Sequence, residues 1–320
     1  MRGKNADREM NRVIVTTLHL PEAAHDLLAQ SGSVRGPGEW EEHLPDATGL
    51  ISLLNVRIDE ALLSRAPKLQ VVANAAVGYD NIDVAACRAR GIVVTNTPDV
   101  LTDATADIAM ALILSTVRRL PQAEASLRRG EFHGWSFWDY LGGDITGSTL
   151  GIFGMGRIGQ AVAVRARAFG LRLIYSSRTR LEQAREQALT VQWVDWETLL
   201  TTSDILTLHA PGGAQTHHLL DREAIRRMKR GSYIINTARG PLVDEAALVD
   251  ALADGHLAGA GLDVYEHEPA IHPGLLTLDN VTLLPHIGSA TPDTRSGMAV
   301  LAARNVAAIL SGNSPLSAVP

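Results

Sequence analysis

A glycine-rich hexapeptide constrains the fold of this chain more than any other feature. Gly154-Met155-Gly156-Arg157-Ile158-Gly159 reads GxGxxG, directly follows the apolar segment 150–153 and opens a helical pattern over 156–169. In this context the first glycine permits a tight turn, the second admits a pyrophosphate, and the third lets the helix meet the sheet. The hexapeptide therefore predicts a strand, a turn and a helix whose N-terminus binds the phosphates of a dinucleotide.

Short β-branched segments alternate with helical patterns on both sides of this hexapeptide. The predicted strands cover 13–18, 49–54, 69–76 and 92–95, and then, after a long apolar helix over 103–119, residues 149–153, 172–175, 205–209, 232–236, 259–264 and 281–284. Short apolar strands are typical of parallel sheets that are buried on both faces. At 320 residues the chain is long enough for two domains. The predicted fold class is α/β, with two doubly wound parallel-sheet domains.

Composition excludes several classes of protein. Hydrophobic residues make up 46% and charged residues 20%, which is typical of a globular chain, and a net charge of −6 without a dense basic run argues against nucleic acid as a partner. The single cysteine permits no internal disulfide. The longest apolar segment, 108–117, falls short of the roughly 20 residues of a membrane span, and the N-terminus lacks a signal-peptide pattern. We expect a cytoplasmic protein without a membrane partner.

The residues after the second strand of the later series indicate which dinucleotide is bound. NAD-binding domains place an acidic residue about 20 positions after the glycines, at the end of that strand. Here the strand is followed by Ser176-Ser177-Arg178-Thr179-Arg180. Hydroxyl and guanidinium groups suit the 2′-phosphate of NADP(H). NADP(H) is therefore the preferred cofactor, and NAD(H) is the alternative in which the arginines only face solvent.

Three ionisable residues follow the last three predicted strands: Arg239, Glu268 and His286. The carboxyl ends of parallel strands share one edge of the sheet with the glycine loop, so these residues can converge there. Reduction of a 2-keto acid requires a cation for the carboxylate, a proton donor for the carbonyl oxygen and a hydride from the nicotinamide. Arg239 suits the first task, His286 suits the second, and Glu268 would hold the imidazole ring. Taken singly, they are also explained as a loop ion pair, a residue before Pro269 and a hydrogen-bonded core histidine.

Other candidate chemistries find little support in the sequence. His217 and His218 are adjacent and would point in different directions on a regular element, and no cysteine or paired acid completes a metal shell, so we expect no metal. Ser148, Ser177 and Ser289 lack a GxSxG elbow, which argues against a hydrolase. The segment 128–144 is rich in glycine and aromatic residues and is predicted to be a connecting loop that packs at an interface.

Five segments resemble the D-isomer-specific 2-hydroxyacid dehydrogenase family, and within it most closely the glyoxylate/hydroxypyruvate reductases. They are Val77-Gly78-Tyr79-Asp80-Asn81-Ile82-Asp83, the glycine hexapeptide, Asn236-Thr237-Ala238-Arg239-Gly240, Gly261-Leu262-Asp263-Val264-Tyr265-Glu266-His267-Glu268-Pro269 and Pro285-His286-Ile287-Gly288. The stretch 175–180 also has relatives among these reductases, which commonly prefer NADPH. The resemblance implies the catalytic roles given above for Arg239, Glu268 and His286, and adds that the Val77 and Gly78 N–H groups hold the substrate carboxylate.

The resemblance also implies the domain organisation and the remaining cofactor contacts. A Rossmann-type cofactor domain, 103–285, is expected to be inserted into a flavodoxin-like substrate-binding domain, 1–102 plus 286–320, and the cofactor domains are expected to form a homodimer in which Trp135 or Trp138 reaches the neighbour. Besides the glycine loop, Ser177, Arg178 and Thr179, the residues expected to contact the dinucleotide are Thr105, His209, Ala210, Pro211, Thr216, Thr237, Ala238, Arg239, Asp263, His286 and Gly288.

One segment departs from the family pattern. Where many relatives carry a polar segment ending in threonine, this chain reads Pro211-Gly212-Gly213-Ala214-Gln215-Thr216, so the loop is expected to be more flexible and the Thr216 contact is open.

The sequence thus predicts an enzyme that reduces small 2-keto acids, glyoxylate and hydroxypyruvate first, to D-2-hydroxy acids. A reductase of 2-ketogluconate or another sugar acid is the alternative enzyme, separated by pocket volume. A dinucleotide-sensing interaction protein is the alternative of another class, since a fold does not determine function. The presence of Arg239, Glu268 and His286 together favours catalysis.

Overall fold

The chain divides into two compact units. The computed structural model describes residues 12–320. Within the described residues, the first unit comprises 12–101 together with Ser289–Pro320, and the second unit is Thr102–Gly288. Residues 286–288, which the sequence analysis assigned to the substrate-binding domain, therefore lie in the second unit. The carboxylate of Asp263 ties them to it by accepting hydrogen bonds from the N–H groups of Ile287 and Gly288, both at 2.7 Å.

The first unit is a five-stranded parallel sheet in the order β2-β1-β3-β4-β5. Its elements are β1 (Val13–Thr16), α1 (Glu22–Ala29), β2 (Ser33–Arg35), β3 (Ala47–Ser52), α2 (Glu60–Ser64), β4 (Val71–Asn74), α3 (Val84–Ala89), β5 (Val93–Thr95) and the C-terminal helix α11 (Pro292–Leu310). This is the strand order of flavodoxin-like folds. Helix α11 packs closely on the sheet, because a Cβ on Gly49 would lie 2.8 Å from Val306 Cγ1.

The second unit is a seven-stranded parallel sheet in the order β12-β11-β10-β9-β6-β7-β8. Its strands are β6 (Thr149–Phe153), β7 (Arg172–Ser176), β8 (Val191–Trp193), β9 (Ile205–Leu208), β10 (Ser232–Asn236), β11 (Leu257–Leu262) and β12 (Val281–Leu283). Its helices are α4 (Thr102–Val117), α5 (Leu120–Arg128), α6 (Arg157–Ala168), α7 (Gln183–Leu189), α8 (Trp196–Thr202), α9 (Arg222–Arg227) and α10 (Glu245–Ala253). From β6 the chain adds β7 and β8 on one side of the sheet, and from β9 it adds β10, β11 and β12 on the other side. The point between β6 and β9 is therefore a topological switch point, where a Rossmann-type fold binds its dinucleotide. The predicted fold class is confirmed.

Helix α4 shares one of the apolar clusters of the second unit with α6 and with buried residues of β6 and β7. A Cβ on Gly261 of β11 would lie 2.7 Å from Thr116 Oγ1 and 3.1 Å from Leu112 Cβ, so the helix and the strand approach as closely as glycine allows. The helix ends at Val117, two residues before the predicted end, because Arg119 adopts a left-handed conformation with φ 55°. Within residues 12–320, no helix has both the length and the apolar character that crossing a bilayer requires.

Candidate active site

The three glycines of the hexapeptide occupy different surroundings. A Cβ on Gly154, whose φ is 93°, would lie 2.7 Å from the Ala210 nitrogen, and a Cβ on Gly159 would lie 2.2 Å from the Gly154 oxygen. Nothing lies within 4 Å of the Cβ position of Gly156. The outer glycines thus close the turn and pack the helix, while the middle one leaves open space at the surface.

The open space lies at the N-terminus of α6. Gly156 is the N-cap of this helix, and no side chain caps it. The first N–H groups of a helix have no intrahelical acceptor, and the helix dipole favours negative charge at this end. Of the neighbouring residues, Met155 is buried under the turn and Arg157 is exposed. The turn therefore presents N–H groups to an anion such as a pyrophosphate.

Two buried polar atoms near the carboxyl ends of β9 and β10 have no hydrogen-bond partner among residues 12–320: His209 Nδ1 and Thr237 Oγ1. The Nε2 atom of His209 lies 2.9 Å from Thr207 Oγ1, and burial lowers the pKa of His209 to about 3, so its ring is neutral. An unpaired buried polar atom is costly unless a ligand or water satisfies it. The hydroxyl, amide and phosphate groups of a dinucleotide would do so, and the residues at this edge therefore fit that cofactor.

The two arginines after β7 have different surroundings. The Arg180 guanidinium donates to both oxygens of Glu186, at 2.8 and 2.9 Å, so the predicted availability of Arg180 for a phosphate is not found. Glu186 also accepts from the Tyr175 hydroxyl at 2.6 Å, and the hydrogen bonds from Arg180 and Tyr175 lower the Glu186 pKa to about 2. Arg178 is exposed and makes no ion pair or side-chain hydrogen bond within the described chain. Ser177 donates to the Thr179 carbonyl at 2.7 Å, which shapes the turn that carries Arg178.

Glu268 and His286 form a hydrogen-bonded pair. Glu268 Oε2 lies 2.8 Å from His286 Nδ1, and the Tyr265 N–H donates to Glu268 Oε1 at 3.0 Å. Burial raises the Glu268 pKa, but the hydrogen bonds from His286 and Tyr265 and the charge of Arg239 outweigh it, so the net shift is downward. The carboxylate is therefore ionised near neutral pH, and it holds one ring nitrogen of His286 while leaving the other to act on a ligand.

Arg239 follows β10, which lies between β11 and β9 in the sheet. Its turn is built by Asn236, whose side chain donates to the Arg239 carbonyl at 2.9 Å and accepts from the Ala238 N–H at 3.0 Å. The Arg239 Nη1 donates to the Ala238 carbonyl at 2.7 Å. The strand order thus places Arg239, Glu268 and His286 after three adjacent parallel strands. The sequence predicted that they follow strands and share one edge of the sheet, but not that the strands are neighbours.

Asp263 fixes the segment that carries His286. It is 1% exposed, and burial raises its pKa despite the N–H groups of Ile287 and Gly288. The Thr105 hydroxyl donates to the Gly288 carbonyl at 3.1 Å, which ties the start of α4 to the same segment. His286 itself has φ 55°, a strained conformation for a non-glycine residue. Asp263 and Thr105 therefore support this segment, and their expected contacts to the dinucleotide stay predictions.

The loop after β9 closes on itself and on Arg239. The Thr216 hydroxyl donates to the Pro211 carbonyl at 2.8 Å, so the threonine stabilises its own loop. Gly213 has φ 155°, a conformation that only glycine adopts readily. A Cβ on Gly212 would lie 3.1 Å from Arg239 Cγ, so the glycine departure from the family pattern lets the loop approach the arginine stem.

Val77 and Gly78 lie in the first unit, in the loop after β4. Their carbonyls accept from Asn96 Nδ2 at 2.8 Å and from Asn74 Nδ2 at 2.7 Å. Their own N–H groups have no acceptor within residues 12–320. This loop therefore has fixed carbonyls and N–H groups that remain available to an anion.

His217 and His218 do not diverge as the sequence predicted. Their rings stack with centroids 4.1 Å apart and an interplanar angle of 29°. His218 adopts φ 47°, so the chain here is not a regular element and the argument from regular geometry fails. An acid also stands beside the pair, because Glu266 Oε1 lies 2.6 Å from His218 Nε2. The sequence did not predict a contact for the Glu266 side chain, because its partner His218 is 48 residues away along the chain.

Comparison with known proteins agrees with this geometry. Residues 110–288 match the family model described as D-isomer specific 2-hydroxyacid dehydrogenase, NAD binding domain. The glyoxylate reductase of Thermococcus kodakarensis is 49% identical over 318 residues, covering 96% of this chain and 95% of the relative. The glyoxylate reductase of Thermococcus litoralis is 48% identical over 278 residues, covering 86% and 84%.

A solved structure is similar over almost the whole chain. The NADPH-dependent glyoxylate/hydroxypyruvate reductase of Sinorhizobium meliloti, in complex with NADP and malonate, is 36% identical with a TM-score of 0.87, and the match covers 97% of each chain. The matched residues, 110–288, include Arg239, Glu268 and His286 and the three strands that precede them. The chain belongs to the D-isomer specific 2-hydroxyacid dehydrogenase family.

Proposed function

We propose that this protein is an NADPH-preferring reductase that converts glyoxylate and hydroxypyruvate to the corresponding D-2-hydroxy acids. The observation that carries the proposal is the 2.8 Å contact between His286 Nδ1 and Glu268 Oε2, on the sheet edge that also carries Arg239 and the open glycine turn. The glyoxylate reductases that the chain resembles support this substrate class.

The proposed reaction assigns one task to each residue. When bound, the nicotinamide supplies the hydride for the carbonyl carbon. Arg239 binds the keto acid through its planar guanidinium and polarises the carbonyl. His286 gives a proton to the carbonyl oxygen as negative charge develops there. In the oxidative direction the same imidazole takes the proton back.

Glu268 is a positioning residue in this scheme. Its contact to Nδ1 of His286 leaves Nε2 as the nitrogen that exchanges a proton with the substrate. Its two oxygens are held by the Tyr265 N–H and by His286, so it fixes the orientation of the imidazole ring. We assign the substrate carboxylate, in addition, to the N–H groups of Val77 and Gly78, and the first unit to substrate binding.

The preference for NADPH rests on the end of β7. No carboxylate follows this strand before Glu182, and Arg178 has no side-chain partner in the described part of the chain, whereas Arg180 is held by Glu186. An NADP complex of the similar Sinorhizobium meliloti enzyme supports the same preference. NAD(H) remains the second cofactor to be tested, because the matching family model is described as an NAD binding domain.

Steady-state kinetics test the proposal directly. The purified protein is assayed with NADPH and with NADH against glyoxylate, hydroxypyruvate, pyruvate and 2-ketogluconate. We expect the highest kcat/KM with NADPH and the two small activated acids. A preference for 2-ketogluconate would replace the proposal by a sugar-acid reductase. Tight NADPH binding without turnover of any acid would replace it by a dinucleotide sensor.

We propose further that the second units form a homodimer through the aromatic segment 130–141. Trp135 and Trp138 are 82% and 75% exposed, and Phe137 between them is 65% exposed. Large exposed apolar patches commonly mark interfaces. Sedimentation analysis should give a dimer for the wild type and a monomer for the Trp135→Ser, Trp138→Ser double variant. A wild-type monomer would contradict the proposal.

We propose a reducing cytoplasm as the compartment. Cys87 is buried, and burial raises the pKa of its thiol to about 11, so it stays protonated and unreactive.

A further inference from the structure

The stacked histidines and Glu266 form a cluster that the proposed reaction does not use. One ligand atom each from His217, His218 and Glu266 lie within 4.8 Å of one another. The shortest of these separations is the 2.6 Å contact between His218 Nε2 and Glu266 Oε1. In a tetrahedral site with metal–ligand distances of about 2.1 Å, ligand atoms stand about 3.4 Å apart. The 2.6 Å contact is shorter than this value and the 4.8 Å limit is longer, and the two rings are stacked, so the imidazoles would turn to direct both nitrogens at one ion.

Hydrogen bonds to the surrounding chain hold the Glu266 carboxylate and the backbone of His218 in place. Glu266 Oε2 accepts from the Glu245 N–H at 3.2 Å, and the Glu266 N–H donates to Glu245 Oε1 at 2.8 Å. The His218 N–H donates to the Pro241 carbonyl at 2.8 Å. Such outer contacts orient metal ligands and strengthen binding. The Glu266 side chain is only 14% exposed, whereas His217 is exposed. An ion could therefore reach the cluster from solvent on the side of His217.

We propose that His217, His218 and Glu266 bind one divalent transition-metal ion of the zinc type. Two imidazoles and one carboxylate are a ligand set that suits Zn²⁺, whereas Mg²⁺ and Ca²⁺ prefer oxygen ligands alone. Three protein ligands leave the fourth tetrahedral position to water. The ion joins the loop after β9, which contains Gly212 and Gly213, to the segment after β11, which leads to Glu268. The site lies within the second unit, and its occupation is measured without reference to turnover.

Metal binding to the full chain tests the proposal. The protein is prepared without a polyhistidine tag, treated with a chelator, and titrated with Zn²⁺ against a chromophoric competitor. We expect one equivalent per chain, and weaker binding at low pH, because a metal binds the deprotonated forms of histidine and glutamate. His217→Ala and His218→Ala should each weaken Zn²⁺ by about 10- to 100-fold or more. Mg²⁺ should not compete.

Two further variants separate the site from adventitious binding. His25→Ala is the matched control, since His25 Nδ1 lies 3.7 Å from Asp26 Oδ1 but has no second histidine, and it should bind Zn²⁺ as the wild type does. Because Glu266→Gln also disturbs the contacts to Glu245, His217→Ala decides the outcome if that variant misfolds. No binding at about 100 µM Zn²⁺, or unchanged binding by His217→Ala, would overturn the proposal and leave the cluster as a hydrogen-bonded latch.

Discussion

At the scale of single residues, charge and geometry can be separated at the His286–Glu268 pair. Both Glu268 oxygens are engaged, one by the Tyr265 N–H and one by His286. A glutamine at this position keeps the shape of the side chain and removes its charge. An alanine at His286 removes the proton donor itself. Glu268→Gln therefore tests the charge of the carboxylate, and His286→Ala tests the proton donor.

His286→Ala should lower kcat for glyoxylate by about 10²- to 10⁴-fold, because it removes general acid catalysis. Glu268→Gln should cause a smaller loss, because the imidazole remains but loses its contact to a charged carboxylate and is less well oriented. Stopped-flow and steady-state kinetics measure both losses. The dissociation constant of NADPH, from fluorescence titration, should be unchanged in both variants. Near wild-type turnover of His286→Ala would contradict the assignment.

Arg178→Ala should weaken NADPH by about 10-fold or more and leave NADH binding unchanged, because a hydrogen bond to a charged group contributes about 1.5 to 3 kcal/mol and only NADPH carries the phosphate. The matched control is Arg172→Ala. Arg172 is exposed at the amino end of β7, whereas Arg178 follows the carboxyl end. Titration calorimetry with both cofactors measures the difference. Equal losses for the two cofactors would show that Arg178 is structural.

The sequence predicted the types and approximate places of the key residues better than their partners. Arg239, Glu268 and His286 were found because each follows an apolar strand, and strand ends are visible in a sequence. The pairing of Arg180 with Glu186 was missed because it depends on the orientation of helix α7 relative to the loop that follows β7. The stacking of His217 on His218 was missed because the φ of 47° at His218 is set by its surroundings, not by its neighbours in sequence.

At the scale of elements, the turn between β6 and α6 combines two glycines with opposite requirements. Gly159 is packed against the Gly154 carbonyl, and Gly156 faces open space with φ −74°, a value that any residue adopts. The same substitution at these two positions therefore acts on folding at one and on ligand binding at the other.

Gly159→Ala should lower the stability of the second unit, because its Cβ would lie 2.2 Å from backbone. Gly156→Ala should leave the melting temperature unchanged and weaken both dinucleotides, because the added methyl group stands where the pyrophosphate approaches the N–H groups of α6. Thermal unfolding and fluorescence titration of the two variants check this contrast. Unchanged NADPH affinity of Gly156→Ala would place the phosphates elsewhere.

Element types were predicted well where strands are buried on both sides. Strands β6 and β10 have the predicted bounds, since both lie inside the sheet and are almost entirely buried. Strands β2 and β8 were missed because they are sheet edges of three residues each, with exposed polar positions such as Ser33 and Gln192. The strand order came only from the structure, because it depends on contacts between segments far apart in sequence.

At the scale of the whole molecule, the second unit has a partly exposed ion pair between Asp204 and Lys229 that makes its stability depend on pH. Asp204 Oδ2 accepts from the Thr149 N–H at 2.8 Å, and Oδ1 accepts from Lys229 Nζ at 2.8 Å. Burial raises the Asp204 pKa, but the hydrogen bonds from Lys229 and Thr149 outweigh it and the net shift is downward. The ionised carboxylate therefore stabilises the folded state.

A carboxyl group with a lowered folded pKa stabilises fully above its unfolded pKa of about 3.9, and this contribution is lost as the pH falls through the folded value. Asp204→Asn should thus cost about 1 kcal/mol at pH 7, since the pair is partly exposed, and lower the melting temperature by about 2 to 4 °C. Calorimetry at pH 7 and near pH 3 checks this. An equally large difference between variant and wild type at both pH values would contradict the ionic origin.

Helix α11 has a consequence for the order in which the molecule is assembled during synthesis. It covers the sheet of the first unit, with Val306 against Gly49, yet it is translated after the whole of the second unit. On the ribosome, the first unit therefore emerges early with part of its core uncovered, while the inserted second unit already has all its strands. Domains generally fold as units during translation. In the nascent chain, the second unit should become protease-resistant first. The sheet of the first unit should become resistant only after helix α11 has been translated.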